Sequence, residues 1–232
     1  MDRSAVASSP TLQHERTSTE HEHTDGQLAA MSPELATDEF TLAAVSWEPD
    51  AKDLVTSVAL RVREGGQWSE WYEVGTVESD ESGVRMGSEP VIAPDADGVQ
   101  ARVETASGRV PTGLRIDLVE PSADPARSTR AGVAPQAATG DELMPAIVTR
   151  SDWGANEKKT RNASRSKTLK AMYVHHTAGS NTYAQDRAPA ILRSIQSYHL
   201  GLGWPDIGYQ FLVDRFGTVY EGRRGSLSEL VV

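Results

Sequence analysis

Leu169-Lys-Ala-Met-Tyr-Val-His175-His176-Thr177-Ala-Gly179 is the stretch on which the reading of the chain turns. It rises as a short apolar run and breaks into two imidazoles, a hydroxyl, a small residue and a glycine. A strand that ends by handing such groups to a loop is a common way to build a metal or substrate site. The elements after it read as support for that strand end. Those before it read as an attached module.

Working outward, Asp186 to Leu200 carries a helical pattern. Ile191, Ile195 and Tyr198 recur at i, i+4, i+7, with Leu192 and His199 beside the stripe. Asp186 suits the N-cap, Pro189 tolerates the first turn, and Gly201 and Gly203 end the helix. Gly208 to Asp214 reads as a strand, Arg215-Phe216-Gly217 as a turn, and Thr218 to Gly222 as the returning strand. Upstream, Ile147 to Gly154 is a short strand and turn, with Ser151 and Asp152 as possible caps. The sum is an α/β unit, a mixed sheet with flanking helices, over 144–232.

The N-terminal half has a different texture. Phe40 to Trp47, Val55 to Arg63, Trp68 to Val74, Val99 to Glu104 and Gly113 to Val119 are strand candidates. Several alternate apolar with polar residues, and Glu64-Gly65-Gly66-Gln67 reads as a hairpin turn. The pattern predicts a small β-sandwich over 39–121. Trp68 and Trp71 could be sugar platforms, but packing is the simpler reading of two tryptophans in a β module. Residues 1–38 are polar and read as a disordered tail; His21-Glu22-His23 within it reads as solvated. Residues 122–143, rich in Ala, Pro, Ser and Thr, read as a linker.

Charge divides the chain in the same place. Residues 1–144 hold 26 acidic and 11 basic side chains, a net of −15, whereas 145–232 hold 7 and 12, a net of +5. Lys158, Lys159, Arg161, Arg165, Lys167 and Lys170 concentrate the basic excess, so an anionic partner is one reading of this half. No nucleic-acid-binding motif accompanies the charge, and nucleic acid is not expected as a partner. The chain has no Cys, so disulfides stabilise nothing and any metal site must use N and O ligands. No apolar run reaches transmembrane length.

Taken together, Arg150-Ser-Asp-Trp-Gly-Ala, Val174-His-His-Thr-Ala, Arg193-Ser-Ile-Gln-Ser-Tyr-His, Gly203-Trp-Pro-Asp-Ile-Gly-Tyr-Gln-Phe-Leu-Val-Asp and Gly217-Thr-Val-Tyr-Glu-Gly-Arg resemble the peptidoglycan recognition protein family. That family overlaps the type-2 N-acetylmuramoyl-L-alanine amidases. The β-rich module is similar to one that accompanies such domains in actinobacterial secreted proteins. The resemblance implies a hydrolase that uses Zn²⁺ to cleave the amide between N-acetylmuramic acid and the first L-alanine of the stem peptide. Zinc suits this chemistry because it lowers the pKa of its bound water to about 7 and polarises the carbonyl.

By the same resemblance His175 is a zinc ligand, and His176, Thr177 and His199 contact the stem peptide. Tyr209 stands over the metal, binds substrate and serves a catalytic role by donating to the developing oxyanion. Arg193 and Trp204 read as scaffold. In the family, the chain continues past Tyr-Glu-Gly-Arg and supplies two further zinc ligands. Here only Arg224 to Val232 follow, so the expectation is a C-terminally truncated amidase domain with impaired hydrolysis. His176 is a poor second ligand because strand neighbours point to opposite faces, and Glu229 is a weak one. The expected partners are the peptidoglycan stem peptide and glycan, for a secreted, wall-associated monomer. A non-catalytic peptidoglycan-binding module and an adhesive cell-surface protein are the alternative readings.

Overall fold

The structure, a computed structural model, describes residues 26–49, 54–77, 85–121, 145–162 and 164–231. The expected linker 122–143 and the His21-Glu22-His23 segment lie outside the described residues. Strand structure begins earlier than the sequence predicts. Within the stretch read as a tail, β1 spans Gln27–Met31 and β2 spans Leu35–Trp47. There follow β3 (Val55–Glu64), β4 (Gln67–Trp68), β5 (Tyr72–Val74), β6 (Thr76–Val77), β7 (Met86–Ser88), β8 (Val91–Thr105) and β9 (Arg115–Val119).

These strands form one curled sheet with the path β4-β3-β8-β2-β7-β6; β1 and β5 add to β8 and β3, and β9 adds to β2. Among β1 to β9 its pairings are antiparallel. The expected sandwich is thus a single sheet folded over on itself. The two long strands β2 and β8 permit this, because register shifts at Ala36/Phe40 and Phe40/Leu42 bend their shared ladder. The hairpin from β3 to β4 turns at Gly65 and Gly66, whose φ of 56° and 79° are the left-handed values a tight two-residue turn requires.

β2 explains the layering. From Phe40 to Trp47 every residue is buried, so this strand is covered on both faces. Phe40, Ala43, Val45 and Trp47 pack with Val58, Leu60, Val62, Val99 and Val103 inside the curl. Leu42 and Ala44 point the other way, with Ile92 and Val77, into a second core. Ile191, Ile195, Tyr198 and Leu202 fill that second core from the C-terminal half.

The C-terminal half has few regular elements: β10 (Ile147–Val148), α1 (Arg150–Trp153), β11 (Ala178–Gly179), a 3₁₀ turn over Gln185–Arg187, α2 (Ala188–Leu202), β12 (Phe211–Val213) and β13 (Val219–Glu221). β10, β13 and β12 form a small mixed sheet, parallel between β10 and β13 and antiparallel between β13 and β12. α2 matches its periodicity: Ile191, Leu192, Ile195, Tyr198, His199 and Leu202 are all buried. Its ends differ in detail. Asp186 sits in the 3₁₀ turn, Arg187 holds the cap position without a side-chain bond to the helix end, and Gly203 alone closes the helix at φ 100°. Gly201 is inside the helix. α1 is capped by Thr149, whose backbone N–H donates to Asp152 Oδ2 at 3.3 Å.

The two halves share more than a core. β11 pairs parallel with the start of β8, through Ala178 to Val91 and Gly179 to Ile92. The Tyr198 hydroxyl donates to the Ser88 carbonyl at 2.8 Å, and Arg85 N donates to the Leu202 carbonyl at 2.9 Å. Arg187 and Asp95 form an ion pair of 2.6 Å. An α/β unit packed only within itself is therefore not what forms here; its helix uses the β-rich sheet as its floor.

Candidate functional site

The stretch from Leu169 to Gly179 is mostly not a strand. Only Ala178 and Gly179 pair; Leu169 to Thr177 run as exposed, irregular chain. Met172, Tyr173 and Val174 are 80%, 88% and 87% exposed. The physical reason is that no described strand lies along either edge of the segment, so its N–H and C=O groups go to water instead of a ladder. His175, His176 and Thr177 are exposed with it.

The segment is nevertheless anchored at one end. Gly179 has φ 118°, and a Cβ there would lie 2.0 Å from the Ile92 carbonyl oxygen, so only glycine permits the close approach that pairs β11 to β8. Ser180 N also donates to that carbonyl at 2.7 Å. The segment held by this anchor brings His175 against an aromatic cluster. The His175 ring lies 5.3 Å from the Tyr209 ring, tilted by 57°. Tyr209 in turn packs edge-on to His199 at 5.5 Å, and His199 stacks on Trp204 at 4.6 Å.

His199 does not face a groove in this arrangement. It is wholly buried, with Nδ1 accepting from Gly208 N at 3.0 Å. Burial, with a smaller contribution from Arg223, lowers its pKa to about 3, so the ring is neutral at ordinary pH. Nδ1 is the acceptor, so Nε2 carries the proton, and that buried N–H finds no partner among the described residues. His199 thus backs the Tyr209 ring, a supporting position where the sequence reading expects a peptide contact. Trp204 fits its reading as scaffold. Arg193 does too, donating from Nη1 to the Trp153 carbonyl at 2.9 Å.

Tyr209 also departs from the expected oxyanion donor. Its hydroxyl donates to Glu89 Oε2 at 3.1 Å. A phenol has one proton, and here it is engaged. Burial first, then the charge of Glu89 and the bond to it, raise the phenol's pKa above its ordinary range, so the proton stays on the ring oxygen. Glu89 lies in the β-rich half, between β7 and β8, and no pattern in the sequence flags it; it is one acid among many in an acidic region.

A zinc site is not assembled by the described residues. Among them no group of three His, Cys, Asp or Glu side chains is placed to hold a metal ion. His175 Nδ1 lies 3.3 Å from the His176 carbonyl oxygen, and Glu229 is occupied by an ion pair with Arg165. The residues present do not fit the metal that the resemblance implies.

Behind the aromatic cluster is a buried polar network. Arg150 Nη1 pairs with Asp206 Oδ2 at 3.0 Å, with the two side chains 5% and 0% exposed. Asp206 also accepts from Gln196 Nε2 at 3.0 Å, Ile207 N at 2.8 Å and Arg224 N at 2.8 Å. It ties α1, α2 and the Trp204–Tyr209 loop together. In the β-rich half, Trp68 and Trp71 are not open sugar platforms: Arg61 lies 5.1 Å from the centroid of each ring, Arg63 lies 5.8 Å from Trp68 and Arg102 5.6 Å from Trp71.

Comparison with known proteins bears on both halves. Residues 4–138 match the family model described as Rv3811 N-terminal galactose-binding domain-like. Over 78 residues the chain is 44% identical to peptidoglycan-recognition protein SC1a/b of Drosophila simulans, covering 33% of this chain and 42% of that protein. It is 42% identical over 80 residues to peptidoglycan recognition protein 1 of Bos indicus, covering 33% and 40%. Over 82 residues it is 44% identical to the N-acetylmuramoyl-L-alanine amidase of Homo sapiens, covering 34% and 14%. The chain thus spans less than half the length of these relatives. No solved structure matches it.

Proposed function

We propose that this chain, which belongs to the Rv3811 N-terminal galactose-binding domain-like family, binds peptidoglycan through the segment around His175, His176 and Thr177. The observation that carries this reading is the placement of that exposed segment against the Tyr209 ring, 5.3 Å from His175. It leaves two imidazoles and a hydroxyl facing outward beside an aromatic wall. Such a surface offers stacking area to a sugar ring or lactyl group and hydrogen bonds to a peptide. The names of the relatives supply the ligand class: several are called peptidoglycan-recognition proteins.

In this reading His176 and Thr177 contact the stem peptide, while Tyr209 contributes its ring face. His199, Trp204 and the Arg150–Asp206 network hold that ring in place. The galactose-binding-like sheet serves as the floor on which α2 is packed. The protein acts outside the membrane, on the wall, as a monomer. No helix among the described residues is long and apolar enough to cross a membrane.

The second reading is hydrolysis of the amide between N-acetylmuramic acid and L-alanine, as the name of the human relative suggests. A Zn²⁺ held there would supply an activated water and a Lewis acid for the scissile carbonyl. Here His175 would be the metal's protein ligand from this segment. The described residues bring no second and third ligand to it, so recognition is the reading favoured and hydrolysis is proposed to be impaired in this chain.

The test is co-sedimentation of the purified chain with isolated cell walls, with and without a chelator. Chelator-insensitive binding supports recognition. Release of the stem peptide from the same walls, together with one bound zinc per chain, would favour hydrolysis. Absence of binding in either condition overturns both readings.

A further inference from the structure

We infer that Glu89, contributed by the galactose-binding-like half, is the positioning residue of this site, holding the Tyr209 phenol so that its oxygen faces a ligand as an acceptor of N–H bonds. This deepens the peptidoglycan-binding reading and rests on it. The argument begins with proton count. The Tyr209 O–H donates to Glu89 Oε2 at 3.1 Å, and a phenol has no second proton to give. What remains on the oxygen is lone-pair capacity, which suits an amide N–H and not a carbonyl oxygen or a developing oxyanion.

The placement of Glu89 makes this a built arrangement. Its backbone N–H donates to the Gly75 carbonyl at 2.7 Å, and its carbonyl accepts from the Ser88 hydroxyl at 2.9 Å, so the main chain that carries the carboxylate is fixed on both sides. One residue before it, the Ser88 carbonyl accepts from Tyr198, on the helix that also presents His199 to the Tyr209 ring. The phenol is therefore gripped at its oxygen by the sheet and at its ring by the helix. His175 meets the same ring from the exposed segment. A negative carboxylate behind the phenol adds to the preference for a donor ligand.

The ligand class that follows is a peptide that presents a backbone N–H to the Tyr209 oxygen. A glycan hydroxyl can also donate to that oxygen, so peptides methylated singly at each backbone nitrogen are what separate the stem peptide from the glycan.

The experiment uses the full chain with Glu89→Gln, Glu89→Ala, Tyr209→Phe and the Glu89→Ala/Tyr209→Phe double variant, each checked for its unfolding midpoint. The probes are isolated cell walls and a soluble muramyl pentapeptide, compared with counterparts methylated singly at each backbone nitrogen. Glu89→Ala and Tyr209→Phe should each weaken pentapeptide binding by about tenfold, and the double variant should lose no more than either. Glu89→Gln should retain most of the binding, because its side-chain carbonyl accepts the same proton. Methylation at one nitrogen should weaken binding to the native chain and have no effect in Tyr209→Phe.

Additive losses in the double variant, or an undiminished methylation effect in Tyr209→Phe, would overturn the proposal while leaving wall binding standing. A native chain that binds neither walls nor pentapeptide would sink the peptidoglycan reading and this proposal with it.

Discussion

The hydroxyl of Tyr198 donates to the carbonyl of Ser88 at 2.8 Å, a bond between residues 110 positions apart that fastens α2 to β7. Around it, Leu42, Ala44 and Ile92 of the sheet pack with Ile191, Ile195 and Leu202 of the helix. The two halves of the chain therefore share one hydrophobic core, and they should unfold together. Tyr198→Phe keeps the ring and loses the bond, for a cost of about 1 kcal/mol. Tyr198→Ala empties the ring site at about 3–5 kcal/mol. Urea unfolding followed by far-ultraviolet circular dichroism and by tryptophan fluorescence should give coincident transitions. Two separated transitions, with Tyr198→Ala affecting only one, would contradict a shared core.

Gly179→Ala should release the segment that carries His175. A Cβ there meets the Ile92 carbonyl oxygen at 2.0 Å, and φ 118° is strained for any L side chain. Backbone atoms line the contact, so nothing can yield cheaply, and β11 must leave β8. Amide exchange at Gly179 and Ser180 should rise to the rate of exposed chain, and wall binding should fall. Unchanged protection at Ser180 would count against the anchor.

Asp206→Asn tests the buried network. The substitution keeps the shape but takes the buried carboxylate from Arg150, which is left with Glu157 alone, and the new amide presents an N–H where Arg224 N and Arg150 already donate. Removing one member of a buried pair costs about 3–5 kcal/mol. The expected readout is a lower denaturant midpoint at unchanged slope. A shift within error would mean the network is not stabilising.

His199 sets an acid limit. Its folded pKa is about 3, lowered by burial first and by Arg223 second, against about 6.5 in an unfolded chain. Between those values the unfolded state binds a proton that the folded state refuses, so stability is full above about pH 6.5 and falls as pH drops, with a slope of at most about 1.4 kcal/mol per pH unit. The upper part of that window, above the range where carboxylates titrate, isolates this residue. His199→Phe should flatten the profile from about pH 6.5 to 5, whatever it does to stability at pH 7. An equal slope in that variant would assign the acid sensitivity elsewhere.

His176→Ala should separate binding from folding. The side chain is exposed, so its removal should shift the midpoint by no more than about 0.5 kcal/mol. Wall binding should nonetheless drop several-fold if His176 contacts the stem peptide. Loss of stability without loss of binding would remove it from the site.

Much of the fold is legible residue by residue, because its signals are local. The stripe of Ile191, Ile195 and Tyr198 marks a helix with one buried face, and that face is buried. Gly65-Gly66 marks a hairpin and forms one. The alternation in Gly113 to Val119 marks the strand that becomes β9. The histidine segment is misread for the opposite reason. Apolar residues from Leu169 to Val174 announce a strand, but a strand exists only if another strand lies beside it, and none of the described ones does.

The candidate site divides along the same line. His175 and Tyr209 are named by motif and do meet. His199 is named for the ligand side and lies behind the ring, since a motif does not say which way a helix turns its buried face. Glu89 cannot be found in advance, because it lies 120 residues from Tyr209 in a region rich in other carboxylates.

What the sequence by itself determined is an inventory: the helix of Ile191, Ile195 and Tyr198, the Gly65-Gly66 hairpin and several strands, the faces that must be covered, and the side chains that can donate, accept or stack. Periodicity demands that a face be buried but does not specify against what. Only the tertiary structure decided that α2 lies on the N-terminal sheet, that Gly179 locks the histidine segment to Ile92, and that the Tyr209 proton goes to Glu89. Each of these is a contact between residues far apart in the chain. Such contacts depend on how large apolar surfaces find one another and on where a single proton is best accepted, and neither is encoded within any one stretch.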